Sequence, residues 1–270
     1  MAISSLDQMV AGLLAPVDVL KTSSTGEAAG ELWSPFYTAG WPGAAAVPSP
    51  GVNGAALTTY AGQLDFPAAV TGDNVYLAGA DACQAGGVGE IWICDRLWHN
   101  SGLTVTTTGA QAITTPAFPA RDSAGSTAGL GLRLGIEVST ATTNGGAVTN
   151  MTASYTDEAG NTGNTATVTS FPASAVAGHV SVFNLAAGDR GLRALASVTL
   201  GTSLVTGAVH MVVFRVLAKI PVPTANIATR LDAIQLGMPR LYDNTVPFLL
   251  YRLTGTAIGA VDATLTYCQG

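Results

Sequence analysis

The chain reads as a mainly β protein, an antiparallel β-sandwich of jelly-roll type with short N-terminal and C-terminal helices. Three observations predict this. Across residues 91–216, apolar β-branched segments alternate with Gly, Asn, Asp and Ser turns. Within residues 129–140, Leu132, Leu134, Ile136 and Val138 recur at a strict period of two, with Arg133 and Glu137 on the opposite face. No helical pattern long enough for a crossover separates the segments, which disfavours a parallel α/β sheet.

In chain order, Ser5 is placed to cap a helix over residues 5–14. Gln8 stands at the capping-box position, and Leu6, Met9, Val10, Leu13 and Leu14 share a face. So short a helix needs a surface to dock on. Residues 33–54 mix aromatics with Pro and Gly, which rules out a long helix or central strand. An extended arm with aromatic anchors and a loop folded under its own sheet both fit. A short strand is expected over 74–78, a helical turn or loop over 81–89, and a buried strand over 90–97. Further strands are expected over 103–108, 129–140, 180–185, 192–199 and 207–217. Residues 151–168 have the composition of a hairpin around the loop Asp157-Glu158-Ala159-Gly160-Asn161-Thr162-Gly163. Pro221 and Pro223 are expected to end the sheet, a second helix to run over 225–236 with Gly237 as its stop, and two strands to close the chain. The organisation is therefore an N-terminal helix and arm (1–60), a β-sandwich core (61–220) and a C-terminal helix with closing strands (221–270) packed on that core.

Composition narrows the function classes. Of 270 residues, 48% are hydrophobic and only 10% charged, so the surface is too poor in charge to suit a crowded free monomer. Cover by copies of itself or by another protein is the favoured reading, with abundant Ser, Thr and Asn as the alternative source of solubility. The net charge is −6, Lys21 and Lys219 are the lysines, and the arginines are scattered singly, which excludes nucleic acid as a partner held by phosphate contacts. Those arginines are expected in structural ion pairs. Cys83, Cys94 and Cys268 are odd in number and lack metal-ligand spacing, so free buried thiols made in a reducing cytoplasm are expected. With no leader pattern and no long apolar run, neither secretion by that route nor a membrane partner is expected.

No catalytic, cofactor-binding or metal site is legible. Ser126 and Ser203 lack the glycines of a nucleophile elbow, and nothing selects a triad. His99, His179 and His210 have no ligand partner at helical spacing, and His210 is expected as a hydrogen-bonded core histidine. Asp157, Glu158, Asn161 and Asn164 read as a solvated turn, since they lack calcium-loop spacing. Trp33, Tyr37, Trp41 and Trp98 invite comparison with a sugar-stacking platform, though Trp98 at a strand end reads as a core or interface anchor. The candidate interface residues are Leu6, Met9 and Leu13 of the helix and Trp33, Phe36, Tyr37 and Trp41 of the arm.

The segments Cys94-Asp95-Arg96-Leu97-Trp98-His99-Asn100-Ser101-Gly102, Gly135-Ile136-Glu137-Val138-Ser139, Tyr155-Thr156-Asp157-Glu158-Ala159-Gly160, Leu200-Gly201-Thr202-Ser203 and Leu236-Gly237-Met238-Pro239-Arg240-Leu241-Tyr242-Asp243-Asn244 resemble a family of virion structural proteins of tailed bacteriophages. The resemblance runs along nearly the whole chain. It implies a non-enzymatic part of the particle, made in the host cytoplasm and located in the virion. A capsid decoration or cement protein is the leading expectation, a homotrimer or similar ring bound to the major capsid protein at the capsid surface. A neck or tail protein is the alternative within the particle, and a carbohydrate-binding adhesin the alternative outside it.

Overall fold

The computed structural model describes residues 3–23, 28–67, 70, 72–255 and 259–270. In chain order the elements are α1 (Leu6–Ala11), β1 (Val17–Lys21), β2 (Leu32–Trp33), a single 3-10 turn (Pro35–Tyr37), β3 (Gly40–Trp41), β4 (Ala55–Ala56), β5 (Val75–Gln84), β6 (Gly89–His99) and β7 (Ala110–Ala112). There follow β8 (Leu132–Thr140), β9 (Thr152–Asp157), β10 (Asn164–Thr167), β11 (His179–Val182), β12 (Leu192–Thr199), β13 (Ala208–Val222) and β14 (Thr229–Leu231). The chain closes with α2 (Ala233–Leu236), β15 (Arg240–Leu241), β16 (Pro247–Leu253) and β17 (Val261–Gln269).

The mainly β, antiparallel class is borne out, and the layers are three. In the middle, β6, β13, β8, β11, β2 and β16 pair in that order, and β16 pairs back to β6, closing a six-stranded barrel with β4 added on β6. A four-stranded sheet, β10-β9-β12-β7, covers one side. The outward residues Leu132, Leu134, Ile136 and Val138 of β8 and Met211 and Val213 of β13 form one core with Ala153, Tyr155, Leu195 and Val198 of that sheet. A second sheet, β14-β5-β17-β1-β3 with β15 also on β5, covers another side. Its inward residues Val19, Leu77, Ala82, Leu265 and Tyr267 pack with Ile91, Ile93, Ile220, Leu249 and Tyr251 of the barrel. The hydrophobic drive behind both interfaces is the same, because each strand of a barrel has an inward and an outward face to bury.

The barrel interior joins Phe36, Trp92, Cys94, Val180, Val212, Phe214, Phe248 and Leu250 with one ion pair. Arg96 donates to both oxygens of Glu137, at 3.0 and 2.6 Å, and Tyr37 donates to Glu137 Oε2 at 2.6 Å. Both charged side chains are fully buried. Phe36 and Phe248 lie 4.9 and 5.5 Å from the guanidinium carbon, and Arg96 Nε donates to His99 Nδ1 at 3.1 Å. Burial pushes the Glu137 carboxyl up, but the Arg96 charge with its hydrogen bonds and that of Tyr37 outweighs it and leaves the group below its ordinary range. Glu137, expected on the solvent face of its strand, is thus inside because that face lines the barrel. A second buried pair, Arg121 with Asp95 at 3.0 Å, ties residues 119–123 to β6. These pairs match the structural role expected for the arginines.

The hairpin of residues 151–168 forms as expected, with Asn164 opposite Tyr155 and the Asp157 carboxylate accepting from Asn161 N at 2.8 Å across the turn. His210 is a hydrogen-bonded core histidine, its ring nitrogens 2.9 Å from Asn100 O and 2.6 Å from Ser139 Oγ. Cys83, Cys94 and Cys268 are free thiols, with Cys94 and Cys268 buried.

Five expectations are corrected. Residues 103–108 form a turn, because Thr107 N bonds Thr104 O and the Gln111 amide occupies both backbone groups of Thr104. Residues 81–84 continue β5, paired with β17 through Asp81 to Thr264 and Gln84 to Val261, where small Ala80 and Ala82 fit against the barrel. β13 passes through Pro221 to Val222, with Pro221 opposite Glu90 near the end of the ladder. The helix expected over 225–236 is only α2, with Asp232 and Gln235 completing a capping box and Gly237 as its stop, while β14 takes the preceding residues into pairing with β5. At α1, Ser5 does cap Gln8 N at 3.2 Å, but Gln8 Oε1 accepts from Ser4 N and Ser4 Oγ, not from the cap residue, and the helix stops at Ala11.

Candidate functional site

The arm divides between interior and surface. β2 is inserted between β11 and β16 as a stave of the barrel, with Trp33 opposite His179 on one side and Tyr251 on the other. Trp33 and Phe36 are therefore buried in the chain's own core, and Tyr37 is half-buried, its hydroxyl committed to Glu137. Among the expected interface residues, Leu6, Leu13 and Trp41 remain exposed and Met9 is half-buried. The sugar-stacking group is not assembled: Trp33 and Trp98 are buried, Trp98 with its indole N–H on Asn53 O at 3.2 Å, and Trp41 stands apart.

Trp41 is held by a specific local build. In the β1–β3 ladder, Leu20 pairs with Trp41 and Lys21 with Gly40. Val19 and Lys21 point inward, so Leu20 and Trp41 share the outer face of the sheet, 50% and 65% exposed. The Lys21 Nζ donates to the carbonyls of Thr38, Pro42 and Gly43 at 3.1, 2.9 and 3.1 Å, closing the loop that carries Trp41. Burial lowers the Lys21 pKa to about 8. Gly40 adopts φ +146°, and a Cβ there would meet Leu20 O at 2.0 Å, so the loop requires glycine to come this close to β1. A large aromatic is thereby carried on a fixed backbone, and aromatics of this size are enriched among interface anchors.

The same margin continues into α1. Leu13 bridges to Cys268, and Leu14 N and Gln269 N bond Tyr267 O and Gly12 O, which anchors the helix at the end of β17. Leu6 and Val10, spaced i and i+4, turn their apolar stripe to solvent, and no residue of α1 is buried. Val17 to Val19 have no strand partner on the β3 side among the described residues. The opposite margin of this sheet, β14 and α2, also exposes large apolar groups, Ile227 at 59% and Ile234 at 91%.

Val10, Leu20, Ile227 and Ile234 are among the exposed apolar residues that the sequence does not assign to an interface, as are Val47, Val70, Val88 and Val205. Ile227 and Ile234 fall within the helix expected over 225–236, and Leu20 carries no periodic signal. Among the described residues there is no His, Cys, Asp or Glu cluster suited to a metal, and no helix long and apolar enough to cross a membrane.

No family model matches the sequence, and no curated protein matches it. The solved structures found similar include a subviral particle of the infectious bursal disease virus protein VP2, at 9% identity over 94% of this chain and 80% of that chain, with a TM-score of 0.19. Another is the structure of the Gt strain of infectious bursal disease virus, at 10% identity over 96% and 81% of the two chains, with a TM-score of 0.20. Overlays at these scores establish no common fold.

Proposed function

We propose that the protein is a structural component of a tailed-bacteriophage virion, a decoration or cement protein that stabilises the head through contacts with copies of itself and with the major capsid protein. The observation that carries this reading is the exposure of Leu20 and Trp41 on a sheet margin, with the exposed α1 stripe on the segment that leads into β1. The sequence resemblance and the low surface charge support it. Apolar groups at both margins of one sheet suit a head-to-tail contact, in which the β1–β3 margin of one copy meets the β14–α2 margin of the next and the rotation closes a small ring such as a trimer. Such a contact buries the exposed apolar area that a free monomer would leave in water. Electron microscopy of virions carrying a labelled copy tests the reading. Label distributed over the shell is expected, and label confined to the neck or tail would overturn it.

A further inference from the structure

β11 sets His179 and Ser181 two residues apart, so their side chains share the face of the strand opposite Val180, which packs inside the barrel. Glu31 immediately precedes β2, the antiparallel neighbour of β11. His179 Nδ1 lies 3.2 Å from Glu31 Oε2, and His179 Nε2 lies 2.8 Å from Ser181 Oγ. A carboxylate only accepts hydrogen bonds, so in the neutral ring this contact assigns the hydrogen to Nδ1 and turns the Nε2 lone pair to the serine hydroxyl. This is the order of groups that activates a hydroxyl as a nucleophile: acid, imidazole, hydroxyl.

The surroundings hold the ring in place. Phe171 packs edge-on against His179 with centroids 5.6 Å apart. Trp33 Nε1 donates to Ala177 O at 2.8 Å, and Gly178, at φ +93°, lies so close that a Cβ would approach Trp33 Nε1 to 2.2 Å. The relay borders a cavity of about 360 Å³ lined by Gly30, Glu31, Ser170, Pro172, His179 and Ser181. That volume suits a small ligand.

We propose that Glu31, His179 and Ser181 form a nucleophile relay through which small activated acyl esters acylate Ser181. Ser181 Oγ attacks the carbonyl carbon as its proton passes to His179 Nε2. The ester C–O bond then breaks, the leaving oxygen takes that proton, and the acyl group stays on Ser181. Glu31 is a positioning residue that fixes the tautomer and orientation of the imidazole. The activity is separate from assembly, because these residues lie on the barrel and not on the sheet margins described above.

The protein contains its own comparison. Ser139 Oγ is 2.6 Å from His210 Nε2, but the other ring nitrogen of His210 faces the Asn100 carbonyl, not a carboxylate. The test is incubation of the full chain with p-nitrophenyl acetate, followed by intact mass and peptide mapping. One acetyl group on Ser181 is expected, with none on Ser139. Ser181→Ala is expected to abolish the adduct, and His179→Gln to slow it about 100-fold, the lower end of general-base effects. Glu31→Gln is expected to slow it and Glu31→Asp to restore part of the rate, with melting temperatures unchanged. Absence of Ser181 acetylation in the folded wild-type chain, equal labelling of Ser139, or a rate indifferent to His179→Gln would each overturn the proposal.

Discussion

Leu20 and Trp41 face one another across a two-residue antiparallel ladder, and both keep their apolar side chains in solvent while their neighbours Val19 and Lys21 turn into the protein. The other tryptophans, Trp33, Trp92 and Trp98, are buried. Acrylamide quenching of the unassembled chain is therefore expected to reach Trp41 alone. Trp41→Phe removes the quenchable component, and assembly protects it. Quenching that persists in Trp41→Phe would show that another tryptophan is accessible.

Lys21 holds the Trp41 loop through three carbonyls. Lys21→Met keeps the stem but leaves those acceptors without their donor, which costs about 1–3 kcal/mol for a buried polar group left unsatisfied. Urea denaturation is expected to show that loss. Trp41 fluorescence anisotropy is expected to fall in the variant, since the loop loses its clasp.

The ion pair inside the barrel sets a larger cost. Glu137→Gln leaves the Arg96 charge without its counter-ion, for an expected loss of about 3–5 kcal/mol. The double change Arg96→Met with Glu137→Leu removes both charges and is expected to lose less than Glu137→Gln alone. Chemical denaturation of the two variants decides this, and equal losses would mean that the pair's charge is not what stabilises the barrel.

Acid is expected to weaken the fold in two windows. Burial first, then the Arg96 charge and His210, lowers the His99 pKa to about 2, and burial lowers that of His210. Below about 6.5 the unfolded histidines bind protons that the folded ones refuse, so stability falls with pH by up to about 1.4 kcal/mol per unit for each such group. At lower pH, Glu137 and Asp122, both held below the ordinary carboxylate range, add a loss of the same sign as they protonate. Unfolding free energies measured at about pH 7.5 and 5.5 isolate the histidine window, and His99→Asn is expected to flatten that slope. A slope unchanged in the variant would show that His99 does not titrate on unfolding.

The individual strands were legible where one face met an apolar layer, as in β8 and the hairpin of β9 and β10. Barrel closure was not, because β2 contributes only Leu32 and Trp33 and lies far along the chain from its partners β11 and β16. The alternation of β8 marked Glu137 as solvent-facing, since period two separates two faces without saying that the second is also enclosed. Arg96, the group that makes this enclosure tolerable, comes from β6. The 103–108 segment misled for a local reason, as β-branched composition does not register the Gln111 amide that captures Thr104. At the candidate surface, the helix and Trp41 were readable as aromatic and amphipathic signals. Leu20 was not, because its exposure follows from a register with Gly40 and Trp41 that only the folded loop reveals.

Native mass by light scattering across a concentration series, for the wild-type chain and for Leu20→Asp with Trp41→Ser, tests assembly through this margin. A closed oligomer is expected for the wild type, a trimer in the proposed ring, and a monomer of unchanged melting temperature for the variant. A wild-type chain that stays monomeric at every concentration, or a variant that assembles as the wild type does, would contradict assembly through this margin.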